Sequence, residues 1–279
     1  MEADHDLAVV PRLSERQAIG GSSPTGPRLM VSPLCLGMIA LPETVLAAAQ
    51  HGVNFFFVSA DLHWPRYEAM RVAVRELVRA GVRPRESIVV AVATYVPHPD
   101  MVAAALAEAV EALGPEIGHI DVAVAGAATA ADFAPRLEVL RRLRARGAFG
   151  IGAIAMSFHD DVATARGLAT ADLDLALVRC NARRPGAQSL LAGGTGTQRR
   201  FVFKAAASVS AAQRAAALAE GREVGELYRD AYHFALSTPG VHGVLAAPET
   251  PGELAEIASL AGRPLLDQRA CQQMIDRSS

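Results

Sequence analysis

Lys204 is the only lysine among the 27 basic residues of this chain, and it sits in an apolar, strand-like run, Phe201-Val202-Phe203-Lys204-Ala205-Ala206. An ammonium in such a run must be paired, shifted in pKa, or placed where a strand meets a polar pocket. A desolvated amine there could also form a Schiff base with a carbonyl substrate. The simpler alternative is a strand-end lysine with a buried stem and a hydrated head. Asp61 and His63 fall in the run Asp61-Leu62-His63-Trp64-Pro65. An imidazole with an ordinary pKa of about 6.5 suits proton transfer at neutral pH, and Trp64 would wall a pocket beside it; the alternative is a surface loop. Tyr95 offers a phenol, which at an ordinary pKa of about 10 needs a nearby cation such as Lys204 or Arg179 to act as an acid. Arg179, Arg183 and Arg184 cluster around Asn181, and the planar guanidinium fork matches a carboxylate or phosphate. Asp61, His63 and His159 together would make a two-histidine, one-carboxylate metal set. Their spacing matches no recognised ligand motif, so no metal is expected. The run Gly193-Gly194-Thr195-Gly196-Thr197 reads as a mobile lid, an anion-binding nest, or a solvated loop.

These residues need elements to hold them. Short apolar runs predict strands over 34–38, 53–59, 87–93, 120–125, 151–156, 174–178, 201–206 and 241–246. Helical patterning predicts helices between them, over 43–51, 67–80, 101–113, 135–146, 160–168, 210–220, 223–236 and 251–260. Asp100 is the expected cap of the third and Gly147 the stop of the fourth. The stretch 182–200 has room for one short helix. Eight βα units with near-continuous apolar strands are what a closed parallel barrel requires, since both faces of every strand are covered. A doubly wound sheet would carry a Gly-rich first turn, and no GxGxxG follows the first strand. The expected division is an irregular segment over 1–27 with room for a short hairpin, a barrel over 28–265 and a tail over 266–279. In such a barrel the chemistry sits at the carboxyl ends of the strands, which brings Asp61, His63, Tyr95, Ser157, His159, Arg179, Asn181 and Lys204 to one face.

Composition narrows the function further. With 51% hydrophobic and 20% charged residues, the chain can bury a large core. A net charge of -2 gives no reason to expect nucleic acid or an anionic membrane as partner. Cys35, Cys180 and Cys271 are scattered and form no CxxC pair, so neither a disulfide framework nor a zinc ribbon is suggested. No apolar run reaches the roughly 18 residues of a membrane span, and the N-terminus is acidic, so the expected location is the cytoplasm.

The segment Val31-Ser32-Pro33-Leu34-Cys35-Leu36-Gly37-Met38 resembles the opening of aldo-keto reductases. Gly52-Val53-Asn54-Phe55-Phe56 through Ala60-Asp61, then Ala93-Thr94, Ile120-Asp121 and Thr250-Pro251 match further family points in order. The resemblance covers about residues 28–260. Ser157, His159, Asn181 and Lys204 lean towards a bacterial branch whose relatives often carry a C-terminal iron–sulfur module, absent here. The resemblance implies a (β/α)8 TIM barrel of the α/β class. It also implies a catalytic set of aspartate, tyrosine, lysine and histidine, whose positions fall on Val58, His63, Tyr95 and Gly126. On the cofactor side the family's glutamine appears as Leu177, the asparagine after Ser157 as Phe158, and Glu249 stands where a basic residue meets the 2′-phosphate. A carboxylate there repels a phosphate.

The expectation is therefore a barrel enzyme reassigned to a specialised biosynthetic step on a small carbonyl-containing or anionic metabolite. Its chemistry would be acid–base (elimination, isomerisation or cyclisation), with no cofactor and NADPH disfavoured. His63 would move the proton, with Tyr95, Lys204 and Asp61 completing the catalytic group. Trp64, Arg179, Asn181, His159 and Ser157 would bind the substrate. Alternatives are a reductase with a rewired proton donor, a metal enzyme, or a non-catalytic binding protein.

Overall fold

The computed structural model describes residues 8–20, 28–62, 64–194 and 198–278. Strands β1 (Gln17–Ile19) and β2 (Leu29–Val31) form an antiparallel ribbon. The ribbon lies across the amino-terminal ends of the other strands. Arg199 donates to the Ala18 carbonyl at 3.0 Å, and the Gln17 amide donates to the His242 carbonyl at 2.7 Å.

The remaining strands alternate with helices. They are β3 (Leu34–Gly37), α1 (Pro42–Gln50), β4 (Phe55–Ser59), α2 (Glu68–Arg79), β5 (Val89–Thr94), α3 (Pro99–Leu113), β6 (Val122–Ala128) and α4 (Phe133–Ala145). Next come β7 (Ala153–Phe158), α5 (Asp161–Leu168), β8 (Leu175–Arg179), α6 (Ala187–Gly193), β9 (Arg199–Phe203), α7 (Ala211–Ala219), α8 (Val224–Ser237), β10 (Gly243–Ala246), α9 (Pro251–Ala258) and α10 (Gln268–Ser278). Strands β3 to β10 close into a parallel barrel, with Val244 of β10 paired to both Leu34 and Val202. The expected (β/α)8 TIM barrel is thus the architecture observed. Every residue of β4, β5 and β7 is buried, because the barrel interior covers one face and the helices cover the other. Inside, the Phe55 and Phe201 rings meet edge to face at 5.7 Å.

Polar residues just before the strands tie their neighbours at the amino-terminal end. Asn54 Oδ1 accepts from Ser32 N at 2.8 Å, Asp121 Oδ2 from Val90 N at 2.7 Å, and Asp174 Oδ2 from Ile154 N at 2.8 Å. Arg85 and Arg144 balance the two carboxylates. This end of the barrel is built for stability, which leaves the opposite mouth for chemistry.

Three details differ from the sequence reading. Asp100 does not cap α3: His98 takes that position, Pro99 opens the helix, and Asp100 sits in the first turn, where its charge interacts favourably with the helix dipole. The seventh barrel strand stops at Phe203 rather than Ala206. Lys204 turns to φ 60, ψ 31 there, and a 3-10 turn, Ala205–Ser208, follows. The stretch read as a tail carries α10, whose Cys271 packs with Phe234 of α8 and Ala182 beyond β8. Among the described residues, no helix is long and apolar enough to cross a membrane.

Candidate active site

The mouth of the barrel is where the backbone departs most from ordinary conformations. Met38, Ala127 and Lys204 have φ of 58, 49 and 60, and all three stand at carboxyl ends of barrel strands. Ala127 lies in an irregularity of β6, where the register with β7 shifts between Ala125 and Ala128, and its N–H donates to Ser157 Oγ at 2.7 Å. Bulges of this kind re-aim the strand beside a site. Here the irregularity sits at Gly126, under the ring of Tyr95. A Cβ on Gly126 would lie 2.5 Å from Tyr95 Cε1 and 2.6 Å from Cδ1, closer than carbon atoms approach. The aromatic ring occupies the space that a side chain at 126 would need.

Tyr95 is held from behind as well. The Asp61 carboxylate accepts from Tyr95 N at 2.9 and 3.0 Å and from the Thr94 hydroxyl at 2.6 Å, and Leu62 N donates to it too. These bonds engage both oxygens, so Asp61 positions the end of β5 rather than standing free as a base. Arg136 of α4, 1% exposed, completes the support by donating to the Thr94 carbonyl at 2.9 Å and pairing with Asp132. Burial and the Asp61 charge push the Tyr95 phenol above its ordinary value, against a smaller pull from Arg136. The Tyr67 ring lies 6.3 Å from that of Phe57, and burial, with a smaller push from the charge of Tyr95, raises its phenol too. Both hydroxyls therefore stay protonated at neutral pH, so that each has a hydrogen to donate rather than being a phenolate. Trp64 is held nearby, its backbone N–H donating to the Asp61 carbonyl at 3.1 Å and the Arg71 guanidinium lying 3.3 Å from its ring centroid.

Across the mouth lies a different environment. His159 follows β7, Arg179 ends β8, Arg184 lies in the next loop and Lys204 follows β9. The His159 ring is half-buried and packs edge-on against Phe203, centroids 5.0 Å apart. Burial lowers its pKa first, and the charges of Lys204, Arg179 and Arg184 lower it further, with Asp160 opposing. Lys204 is exposed, not buried. The desolvation that a Schiff-base amine requires is absent, because the left-handed turn rotates the residue out of the strand. Asn181 is buried and fully engaged: its amide donates to the Lys204 carbonyl at 2.9 Å and its oxygen accepts from Arg183 N at 3.1 Å. It shapes the loop rather than reaching into the opening. Ser157 is buried, and among the described residues its Oγ serves only as acceptor from Ala127, which leaves its hydroxyl hydrogen available.

His63 and the residues 195–197 lie outside the described residues. Asp61 and His159 are not brought together, since β5 and β6 separate their strands. Among the described residues, no group of three or more His, Cys, Asp or Glu side chains could hold a metal ion.

Sequence reading missed a groove of about 270 Å³ between the loops after β9 and β10. Ala206, Ala207 and Ala247 leave it open, Tyr228 and Tyr232 wall it, and Arg214, Glu249 and Glu253 charge its edge. It also missed Tyr67 and Arg136. The sequence did carry a signal for Arg136, an arginine on the apolar helical face of Phe133, Leu137 and Leu140. Glycine inside an apolar strand likewise marks a close approach, here that of Tyr95 to Gly126.

Comparison with solved structures agrees with the barrel fold. A glycerol dehydrogenase of Gluconobacter oxydans superposes with a TM-score of 0.66 at 14% identity, covering 95% of this chain and 96% of that one. The chain has the aldo-keto reductase fold. A holo-form aldo-keto reductase of Bacillus halodurans gives a TM-score of 0.70 at 16% identity over 95% and 96% of the two chains. A Pseudomonas aeruginosa protein assigned to the aldo-keto reductases gives 0.66 at 17% over 92% and 98%. No protein-family model matches the sequence, and no curated protein does. The expectation of a site without a cofactor is overturned here, because the matched structures include a dehydrogenase and a reductase in holo form.

Proposed function

We propose that the chain is an enzyme acting on the carbonyl group of a small metabolite at the barrel mouth, with a nicotinamide dinucleotide as cofactor. The observation that carries this reading is the Tyr95 phenol, seated over Gly126 and fixed from behind by Asp61. A neutral hydroxyl held by a rigid strand end can polarise a carbonyl oxygen without reorganising during the reaction.

The chain's residues fit the cofactor in part. The groove after β9 and β10 has room for a nucleoside between Tyr228, Tyr232 and the alanines. Its two carboxylates, Glu249 and Glu253, outnumber the Arg214 guanidinium; they suit ribose hydroxyls and oppose a 2′-phosphate. Ser157 has a hydroxyl hydrogen to offer a carboxamide, whereas Leu177 offers none. When bound, such a cofactor would supply a hydride to the carbonyl carbon, or take one from the carbinol carbon of the corresponding alcohol. Tyr95 holds the carbonyl oxygen, Tyr67 sets the polarity behind it, and Trp64 limits access of water.

Trp64 is the only tryptophan, so its fluorescence reports on cofactor titration directly. NADH should bind about tenfold or more tightly than NADPH, given the repulsion of two carboxylates. Tyr95→Phe should leave that affinity unchanged and lower turnover of test aldehydes and ketones about 100-fold. Failure of both dinucleotides to bind, or full activity in Tyr95→Phe, would overturn the reading.

A second reading keeps acid–base chemistry (elimination, isomerisation or cyclisation) at the same phenol. It is favoured by Val58, Tyr95 and Gly126 standing where the family carries aspartate, lysine and histidine. Deuterium entering product from solvent, with none from labelled dinucleotide, would select it.

A further inference from the structure

The ends of β7, β8 and β9 bring positive charge together without neutralising it. Phe158 pairs with Val178 and Arg179 with Phe203, so His159 and Arg179 stand at one level and Lys204 follows one strand further on. His159 and Phe203 touch although β8 runs between their strands, which turns both rings into the mouth.

Several arginines elsewhere are paired with carboxylates, among them Arg85 with Asp121, Arg136 with Asp132 and Arg144 with Asp174. Arg179, Arg184 and Lys204 are not. Among the described residues their side chains make no hydrogen bond or ion pair, and Arg179 Nε is buried with no acceptor. A buried donor without a partner carries a real desolvation cost, which an incoming oxygen would remove. Asp160, the acid whose charge reaches His159, is already engaged as the cap of α5, accepting from Ala163 N at 2.8 Å.

We infer that Arg179, Arg184 and Lys204 form an oxyanion subsite for the substrate, so that the carbonyl compound polarised at Tyr95 also bears a carboxylate or phosphate. The inference rests on the mouth being the substrate site. β5 and β8 lie three strands apart in a ring of eight, so the phenol and Arg179 face each other across the opening. A short molecule, carbonyl at one end and anion at the other, would bridge them. The phosphates of a dinucleotide are the other source of the same chemistry, and the experiment separates the two.

The probe is inorganic sulfate, whose charge is constant between pH 6 and 8, titrated calorimetrically into the whole chain without cofactor. Saturable binding is expected, tighter at pH 6. A bound dianion offsets the charges of Arg179, Arg184 and Lys204 and lets His159 take up a proton. NMR titration of His159 should show its midpoint rising with sulfate. Arg179→Met should weaken binding about tenfold to hundredfold, the range of a hydrogen bond between charged groups. Lys204→Met, at an exposed side chain with no hydrogen bond or ion pair among the described residues, should weaken it severalfold with no change in melting temperature. Sulfate should still bind with NADH present. Displacement of sulfate by NADH would assign the cations to the cofactor's phosphates and overturn the inference. So would absence of saturable binding, or unchanged affinity in both variants. Tyr95→Phe should leave sulfate binding intact, so failure of the carbonyl reading and failure of the subsite give different results.

Discussion

Gly126 and Tyr95 form a pair that can be tested without knowing the substrate. Gly126→Ala would place a methyl 2.5 to 2.8 Å from three atoms of the Tyr95 ring, against a comfortable separation of about 3.5–4.0 Å. The ring must therefore move by about 1 Å. It cannot take its backbone along, because Asp61 holds Tyr95 N. Overpacking of this kind costs about 1–3 kcal/mol. In a Tyr95→Ala background the space is empty, and alanine in a strand interior is favoured over glycine by about 0.5–1 kcal/mol. The same substitution should thus change sign between the two backgrounds, with a coupling of about 2–3 kcal/mol in a double-mutant cycle. Urea unfolding of the four proteins, followed by far-UV circular dichroism, measures it. If Gly126→Ala costs the same in both backgrounds, the ring does not lie over Gly126 and the placement of the phenol fails with it.

Two further predictions concern titration. Burial alone would raise the Asp132 carboxyl, but hydrogen bonds from Thr129 and the Arg136 guanidinium outweigh it and hold the pKa below the ordinary carboxylate range. Its stabilising contribution is present above the unfolded value of about 4 and is lost as pH falls through the lower folded value. Asp132→Asn should therefore flatten the fall of melting temperature between about pH 5 and 3. Cys35, Cys180 and Cys271 are free and buried, with burial raising all three thiols, Cys180 to about 12. Ellman's reagent at pH 8 should find no rapidly reacting thiol in the native protein and three after unfolding.

Much of the barrel was legible because each strand is buried on both sides and so spells a continuous apolar run. Phe55-Phe56-Phe57-Val58 and Val89-Val90-Ala91-Val92 are examples. Strand ends were less legible. Nothing in Phe203-Lys204-Ala205 announces the left-handed turn that exposes the lysine, since φ is a property of the closed barrel and not of the residue type. Asp61 was recognisable as a mouth residue, but its role was not. Its partners Thr94 and Tyr95 lie 33 and 34 residues away on the next strand. The groove was invisible for the same reason: Arg214, Tyr228, Tyr232 and Glu249 come from separate elements that meet only once β9 and β10 are adjacent. The arginines beside Asn181 were visible as a cluster, because they are close in sequence as well as in space.

One consequence of the exposed turn at Lys204 is practical. Besides the α-amino group, the chain has a single primary amine, and it projects at the rim of the opening. An amine-reactive dye would therefore attach at one defined internal spot without any engineered cysteine. A fluorophore placed there would sense occupancy of the cavity as it happens, giving a screen for small molecules before any turnover assay exists.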